Sequence, residues 1–199
     1  MSLAFSTMLE LGTAAPDFNL PDVVTGKTIA LSTVADRKAL LVLFICRHCP
    51  FVCRVQDEIA RLGRDYQDSI GTVAISSNDA DRFTQDSPGS LKEWAQALGF
   101  TFPVCFDASQ SVAKAYTAAC TPDPFLFDEK RLLVYRGQLD DSRPGNGKVP
   151  TGRDIRAAIE ATLTGKPVAP VQRPSAGCDI KWKPGNAPAY FSAAHEAKR

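Results

Sequence analysis

A chain of 199 residues, 44% apolar and 23% charged, is long enough for one substantial domain that buries roughly 70% of its unfolded surface. Its formal net charge of +1, with no basic run, excludes the electrostatics of a nucleic-acid partner or an anionic membrane. No apolar stretch reaches transmembrane length, and Met1–Leu11 has no basic segment followed by an apolar core, so a cytoplasmic protein is expected.

Residues 12–31 hold two short alternating segments, near Asp17–Leu20 and Lys27–Leu31, around a turn containing Gly26. That pattern predicts a hairpin. Ser32–Asp36 predicts a short helical turn. Leu40–Ile45 is an unbroken apolar run with β-branched and aromatic residues, which predicts a strand buried on both faces. From Phe51 the apolar residues Phe51, Val55, Ile59, Leu62 and Tyr66 fall on one helix face. Pro50 sits in the first turn, where its missing N–H costs nothing. Gly71–Ser77 predicts a second central strand, and the polar loop Asn78–Asp81 lies at its C-terminal end, where α/β proteins often place their sites. Ser90 is expected to cap a helix over Leu91–Leu98 that Gly99 closes. Phe102–Asp107 predicts a strand, and Ser109 the cap of a helix through Tyr116. Phe125–Phe127 and Leu132–Arg136 alternate like strands, and Thr151 or Gly152 opens a last helix over Arg153–Leu163.

The order β-α-β-α-β-α-β-β-α predicts an α/β domain over residues 1–166, with a central mixed sheet covered by helices on both faces. Residues 167–199, rich in proline and glycine, predict an irregular tail packed on the same domain.

The predicted buried strand stops at Cys46-Arg47-His48-Cys49, and a helix follows. Strand, Cys-x-x-Cys, helix is the context in which the motif reads as a thioredoxin-like redox centre. A helix N-terminus lowers a thiol pKa through free N–H groups, which makes Cys46 the expected exposed nucleophile and Cys49 the shielded resolving thiol. Arg47 and His48 add a fixed and a titratable positive charge, both favouring thiolate, and are expected to contact the substrate. Structural zinc would need a second Cys-x-x-Cys or a Cys/His pair at finger spacing, and the chain has neither. No metal and no cofactor are expected for this chemistry. Cys105 reads as a buried small residue and Trp94 as core. Cys178 and Trp182 read as anchors of the tail, with a Cys120–Cys178 disulfide one of several connectivities the sequence leaves open. Asp140-Asp141-x-Arg143 reads either as a rim of the cleft or as ordinary loop chemistry.

Gly12-x-x-Ala-Pro-Asp-Phe, Cys-x-His-Cys-Pro-Phe-Val, Cys120-Thr-Pro-Asp, the segment from Tyr135 to Pro144 and Gly177-Cys-Asp-Ile-Lys-Trp-Lys-Pro-Gly-Asn together resemble a thioredoxin-fold redoxin. The relevant group is the alkyl hydroperoxide reductase/thiol-specific antioxidant (AhpC/TSA) type, in its bacterial thiol–disulfide interchange subgroup. The resemblance implies a thioredoxin fold, a catalytic pair at Cys46 and Cys49, and a cis-proline at Pro122 that places Thr121 in the substrate cleft with Cys120 near it. It implies a thiol–disulfide oxidoreductase, with an antioxidant role among its expected uses. Its substrates would be protein or small-molecule thiols and disulfides, and its reductant a thioredoxin or glutathione system. Two residues depart from the subgroup's usual pattern. Arg47 stands where it has asparagine, and Cys53 adds a third thiol where it has a basic residue.

A peroxidase is one alternative, but the Pro-x-x-x-Thr-x-x-Cys frame of peroxiredoxins fits neither Cys46 nor Cys49. A copper-binding module is another, because His48-Cys49-Pro50-Phe51-Val52-Cys53 is similar to the Cys-Pro-x-x-Cys of thioredoxin-fold copper-delivery proteins. Cys49, Cys53 and a histidine, His48 or His195, would be its ligands.

Overall fold

The computed structural model of the chain describes residues 2–34 and 36–191; His195 lies outside the described residues. In chain order the strands and helices are β1 Leu3–Phe5, β2 Asn19–Pro21, β3 Thr28–Ala30, α1 Leu31–Val34, β4 Leu40–Phe44, α2 Pro50–Tyr66, β5 Gly71–Ser76, α3 Pro88–Leu98, β6 Val104–Phe106, α4 Ser111–Ala115, β7 Cys120–Thr121, β8 Asp123–Phe127, β9 Leu133–Tyr135, α5 Arg153–Leu163 and β10 Ala176–Asp179.

Five strands form the central sheet in the order β6-β5-β4-β8-β9. β4 runs parallel to β5 and antiparallel to β8, so the all-apolar strand sits in the middle, as its composition demands. Its alternate side chains feed two cores. Leu41 and Leu43 join Val52, Ile59, Leu91 and Ile159 beneath α2, α3 and α5. Leu40, Val42 and Phe44 join Val112, Tyr116, Phe125 and Phe127 on the opposite face, where α4 packs. Each of these buried side chains contributes about 1.5–3 kcal/mol relative to exposure.

Two helix starts differ from the sequence reading. α3 begins at Pro88, and its cap is Ser87, whose Oγ accepts from Ser90 N. Proline at the first helical position is favourable, so the start lies one turn earlier than Ser90 suggests. α4 follows Gln110, which takes a left-handed φ of 63°; Ser109 Oγ still accepts from Ser111 N at 3.2 Å.

The tail holds regular structure that its composition conceals. β10 is the middle strand of a small antiparallel sheet, β1-β10-β7. Beyond it Ile180 and Trp182 enter the α4-side core. Through β7 this small sheet reaches the cis peptide bond between Thr121 and Pro122, immediately before β8.

Candidate functional site

β4 delivers Cys46 to the C-terminal edge of the central sheet, and the chain turns into α2 with Cys49 as its N-cap. Residues three apart at a helix start lie close together, and both sulfurs converge on one residue of the cis-proline loop. Thr121 Oγ1 lies 3.3 Å from Cys46 Sγ, and Cys49 Sγ donates to Thr121 O at 3.1 Å. Cys46, His48, Cys49, Thr121 and Pro122 are therefore brought together.

Three details correct the sequence reading. Cys46 is not exposed: it is 1% accessible and Cys49 is fully buried. The exposed cysteine is Cys53, whose Sγ donates to Arg47 O at 3.3 Å. Nor does Arg47 hold a charge over the thiols. Its Nη1 donates to Ser90 O at 2.9 Å and pairs with Glu93 at 3.5 Å, so the guanidinium turns toward α3.

The third correction concerns acidity. The Cys46 thiol is pushed well up by its hydrogen bond to Cys49, by burial and by the negative charge of Asp86. Cys49 is pushed down, to about 2, by hydrogen bonds from Cys178 and Cys46, with Thr121 and the N–H of Val52 adding to them against burial. As a thiol Cys49 donates to Thr121 O; as a thiolate it accepts from its two sulfur neighbours. The thiols of Cys53, Cys105, Cys120 and Cys178 are all pushed up. Of the six, Cys49 alone is pushed down. The largest contributions come from the neighbouring thiols, and the helix terminus adds only the Val52 N–H.

Asp86 was not foreseen. It is fully buried in a short 3₁₀ turn, Thr84–Asp86, and accepts from Arg47 N at 2.9 Å, from His48 Nδ1 at 2.5 Å and from Asn78 Nδ2 at 2.8 Å. The polar loop after β5 held its partner Asn78, but Asp86 itself lies in an aperiodic polar stretch with no motif to mark it. A carboxylate on Nδ1 fixes the imidazole so that neutral His48 presents Nε2 as a lone pair. The ring is also stacked on Phe83, with centroids 5.5 Å apart, and Nε2 is buried with no hydrogen-bond partner among the described residues. Ligand-type atoms of Cys46, His48 and Asp86 all lie within 4.8 Å of one another.

Cys178 was also missed as a site residue. β10 pairs Cys178 with Thr121 and Asp179 with Cys120. Paired residues share a face and neighbours alternate, so Cys178 points with Thr121 toward the thiol pair and Cys120 points away. Cys120 Sγ instead faces Pro122 O and Ser175 O at 3.7 and 3.9 Å. A Cys120–Cys178 disulfide is thereby ruled out by register. Asp140 is consumed by its own loop, accepting from Thr151 N and Gly152 N at 2.6 and 2.7 Å, and Arg143 donates to Asp140 O and Ser142 O beside it.

The cavity bordering the motif, lined by residues that include Phe51, Pro122, Arg143 and Ser175, is about 10 Å³, about one water. Clefts of about 420 and 460 Å³ lie elsewhere, one beside α1 and the other beside the end of α5.

A mixed sheet with helices on both faces, a Cys-x-x-Cys at the start of α2 and a cis-proline beside it define a thioredoxin fold. The chain belongs to the AhpC/TSA family, whose model matches residues 11–136. It is 50% identical, with a TM-score of 0.91, to an uncharacterized conserved protein from Geobacillus kaustophilus, over 93% of this chain and 98% of that one. It is 50% identical, with a TM-score of 0.90, to a hypothetical protein from Sinorhizobium meliloti 1021, over 92% of this chain and 100% of that one. A thiol:disulfide interchange protein from Chlorobium tepidum TLS shares the fold at 17% identity and a TM-score of 0.59, over 78% of this chain and 99% of that one. No curated protein matches the chain. Family and fold support a redox function in general.

Proposed function

We propose that the chain is a thiol–disulfide oxidoreductase whose working pair is Cys46 and Cys49. The observation that carries this reading is the convergence of both sulfurs on Thr121, beside the cis bond to Pro122. Cys46 gives its proton to His48 Nε2, and the resulting thiolate attacks one sulfur of a substrate disulfide. The leaving sulfur departs as a thiolate and is protonated. Cys49 then attacks the Cys46 sulfur of the mixed disulfide, releasing the second substrate thiol and leaving a Cys46–Cys49 disulfide. Two electrons have moved to the substrate.

A raised Cys46 pKa makes a nearby base necessary, since the thiolate is the nucleophile in exchange. Asp86 orients that base. We assign the reductant to the thioredoxin or glutathione class and the compartment to the cytoplasm. Three thiols clustered between residues 46 and 53 are typical of catalysis in reducing surroundings.

Metal binding is a second reading with one observation in its favour, the proximity of Cys46, His48 and Asp86. Among the described residues, the copper set of Cys49, Cys53 and a histidine is not such a cluster. In the observed set His48 and Asp86 already bond each other, so an ion would have to break that contact. Copper loading under anaerobic conditions separates the readings: tight one-to-one binding lost in His48→Ala would favour metal.

The redox reading is tested with insulin disulfides, dithiothreitol as reductant, and the native chain as catalyst. Wild type should accelerate reduction, and Cys46→Ser and Cys49→Ser should each fall to the uncatalysed rate. Retention of activity by both variants would sink the proposal.

A further inference from the structure

The mechanism above leaves Cys178 unused, although it lies at the centre of the site. It shares one buried cluster with Cys46 and Cys49, and its thiol hydrogen-bonds Cys49. Its position is built by close backbone packing. A Cβ on Gly177 would fall 1.9 Å from Thr121 O and 2.6 Å from its carbonyl carbon, so only glycine lets β10 press against the cis-proline loop. Ser175 fastens the same strand, its Oγ donating to Pro122 O at 2.6 Å. Cys178 lies beyond the residues 11–136 that match the family model, and the two-cysteine scheme gives it no role.

We propose that Cys178 is a third redox-active thiol that draws Cys49 into a Cys49–Cys178 disulfide by internal exchange. This rests on the oxidoreductase reading above. The step begins from the Cys46–Cys49 disulfide. Cys178 loses its proton, and its thiolate attacks Cys49 Sγ. The Cys49–Cys178 bond forms as the Cys46–Cys49 bond breaks, and Cys46 leaves as a thiolate that takes up one proton. No electrons enter or leave, so no further oxidant is needed beyond the substrate disulfide already consumed.

The other thiols are less suited. Cys53 sits four residues after Cys49 on the same helix, where Cβ atoms stand about 5–6 Å apart; a disulfide needs about 3.5–4.5 Å. Cys120 faces away by register. Exchange with Cys178 has two consequences. It returns a free thiol at Cys46 while the protein remains oxidised, and it ties the tail strand covalently to the start of α2.

The test is disulfide mapping of the intact chain, oxidised with glutathione disulfide, blocked with iodoacetamide and digested with trypsin without reduction. Arg47 and Arg54 let trypsin separate Cys46 from the peptide of residues 48–54. Running it in parallel on Cys53→Ser assigns the linkage to Cys49. The expected result is the 48–54 peptide joined to the peptide carrying Cys178, appearing after the Cys46–Cys49 link in a time course. Recovery of Cys178 fully alkylated while Cys46–Cys49 is oxidised would overturn the relay. Cys178→Ser and Cys178→Ala, oxidised in the same way, test the underlying reading separately. A Cys46–Cys49 link in either variant upholds it, and absence of that link in both overturns it.

Discussion

Two regions bring sulfur to Thr121 by opposite means. Residues 46–49 do so locally: a strand ends, a helix begins, and residues three apart are neighbours by geometry alone. Residues 176–179 do so from the far end of the chain, through strand register with β7 and a glycine that permits the approach. The contrast shows where acidity comes from in this site. The local motif supplies a helix terminus, but the distant strand supplies the Cys178 hydrogen bond that does most to push Cys49 down. A Cys-x-x-Cys read alone does not register that contribution.

The largest effect separating the regions is loss of exchange. Cys46→Ser and Cys49→Ser break the local motif and should abolish insulin reduction, whereas Cys178→Ser, which keeps a hydrogen-bond donor beside Cys49, should slow it without abolishing it and alter which disulfides accumulate. Turnover as low in Cys178→Ser as in Cys46→Ser would erase the distinction.

Next in size is the anchorage of the small sheet. Asp123, fully buried just after Pro122, accepts from Ser6 Oγ at 2.6 Å, and that hydroxyl accepts from Ser175 N at 3.1 Å. Burial raises the Asp123 pKa to about 6, above an unfolded value near 3.8. The folded state then binds the proton more tightly, so the contribution is complete below about pH 4 and is lost as pH rises through about 6. About two units correspond to on the order of 3 kcal/mol. Denaturant unfolding of wild type and Asp123→Asn from pH 4 to 7.5 should show their stability difference shifting by that amount in favour of asparagine. A difference flat with pH would place the cost of anchorage elsewhere.

A third effect breaks the tail's approach directly. Gly177→Ala puts a methyl into the Thr121 carbonyl, and overpacking of this kind costs about 1–3 kcal/mol. The transition temperature should fall by roughly 2–4 °C per kcal/mol for a chain of this size, and the Cys49–Cys178 link should diminish before the Cys46–Cys49 link does. Unaltered melting together with unaltered disulfide mapping would show that the strand can lift without consequence.

The same contrast explains what the sequence made legible. The fully apolar β4, the periodic face of α2, the hairpin β2–β3 and the glycine-closed α3 follow from short-range patterns. β1, β7 and β10 have three, two and four residues, too few for an alternation to show, and their pairing is set by chain ends that meet across the fold. Proline and glycine in residues 167–185 read as disorder of pattern, yet Gly177 is there because a backbone approaches. Asp86 and the direction of Arg47 depend on where α3 and its preceding turn lie against α2. The burial of Cys46 depends equally on distant packing.

Arg47 offers the smallest effect and the sharpest check on local reading. A guanidinium between two redox cysteines invites the expectation that it stabilises thiolate, so that Arg47→Asn would lower the reduction potential by about 20 mV, from roughly 1.4 kcal/mol per 30 mV. The geometry removes that expectation. The charge is bound to Ser90 O and Glu93, and its side chain is 38% accessible, where pairs are worth at most about 1 kcal/mol and are screened. What Arg47 does give the site is its backbone N–H, which donates to Asp86 Oδ1, and asparagine keeps that group. The potential should therefore change by less than about 10 mV, with little dependence on salt. Asp86→Asn is the counterpart: removing the charge that raises the Cys46 thiol should lower its pKa, seen as alkylation beginning at lower pH. Redox titration against glutathione at two salt concentrations measures the first, and a fall of 20 mV that shrinks with salt would return the guanidinium to the sulfur. In both proteins the first cysteine labelled should be Cys53, the one thiol of the six at the surface.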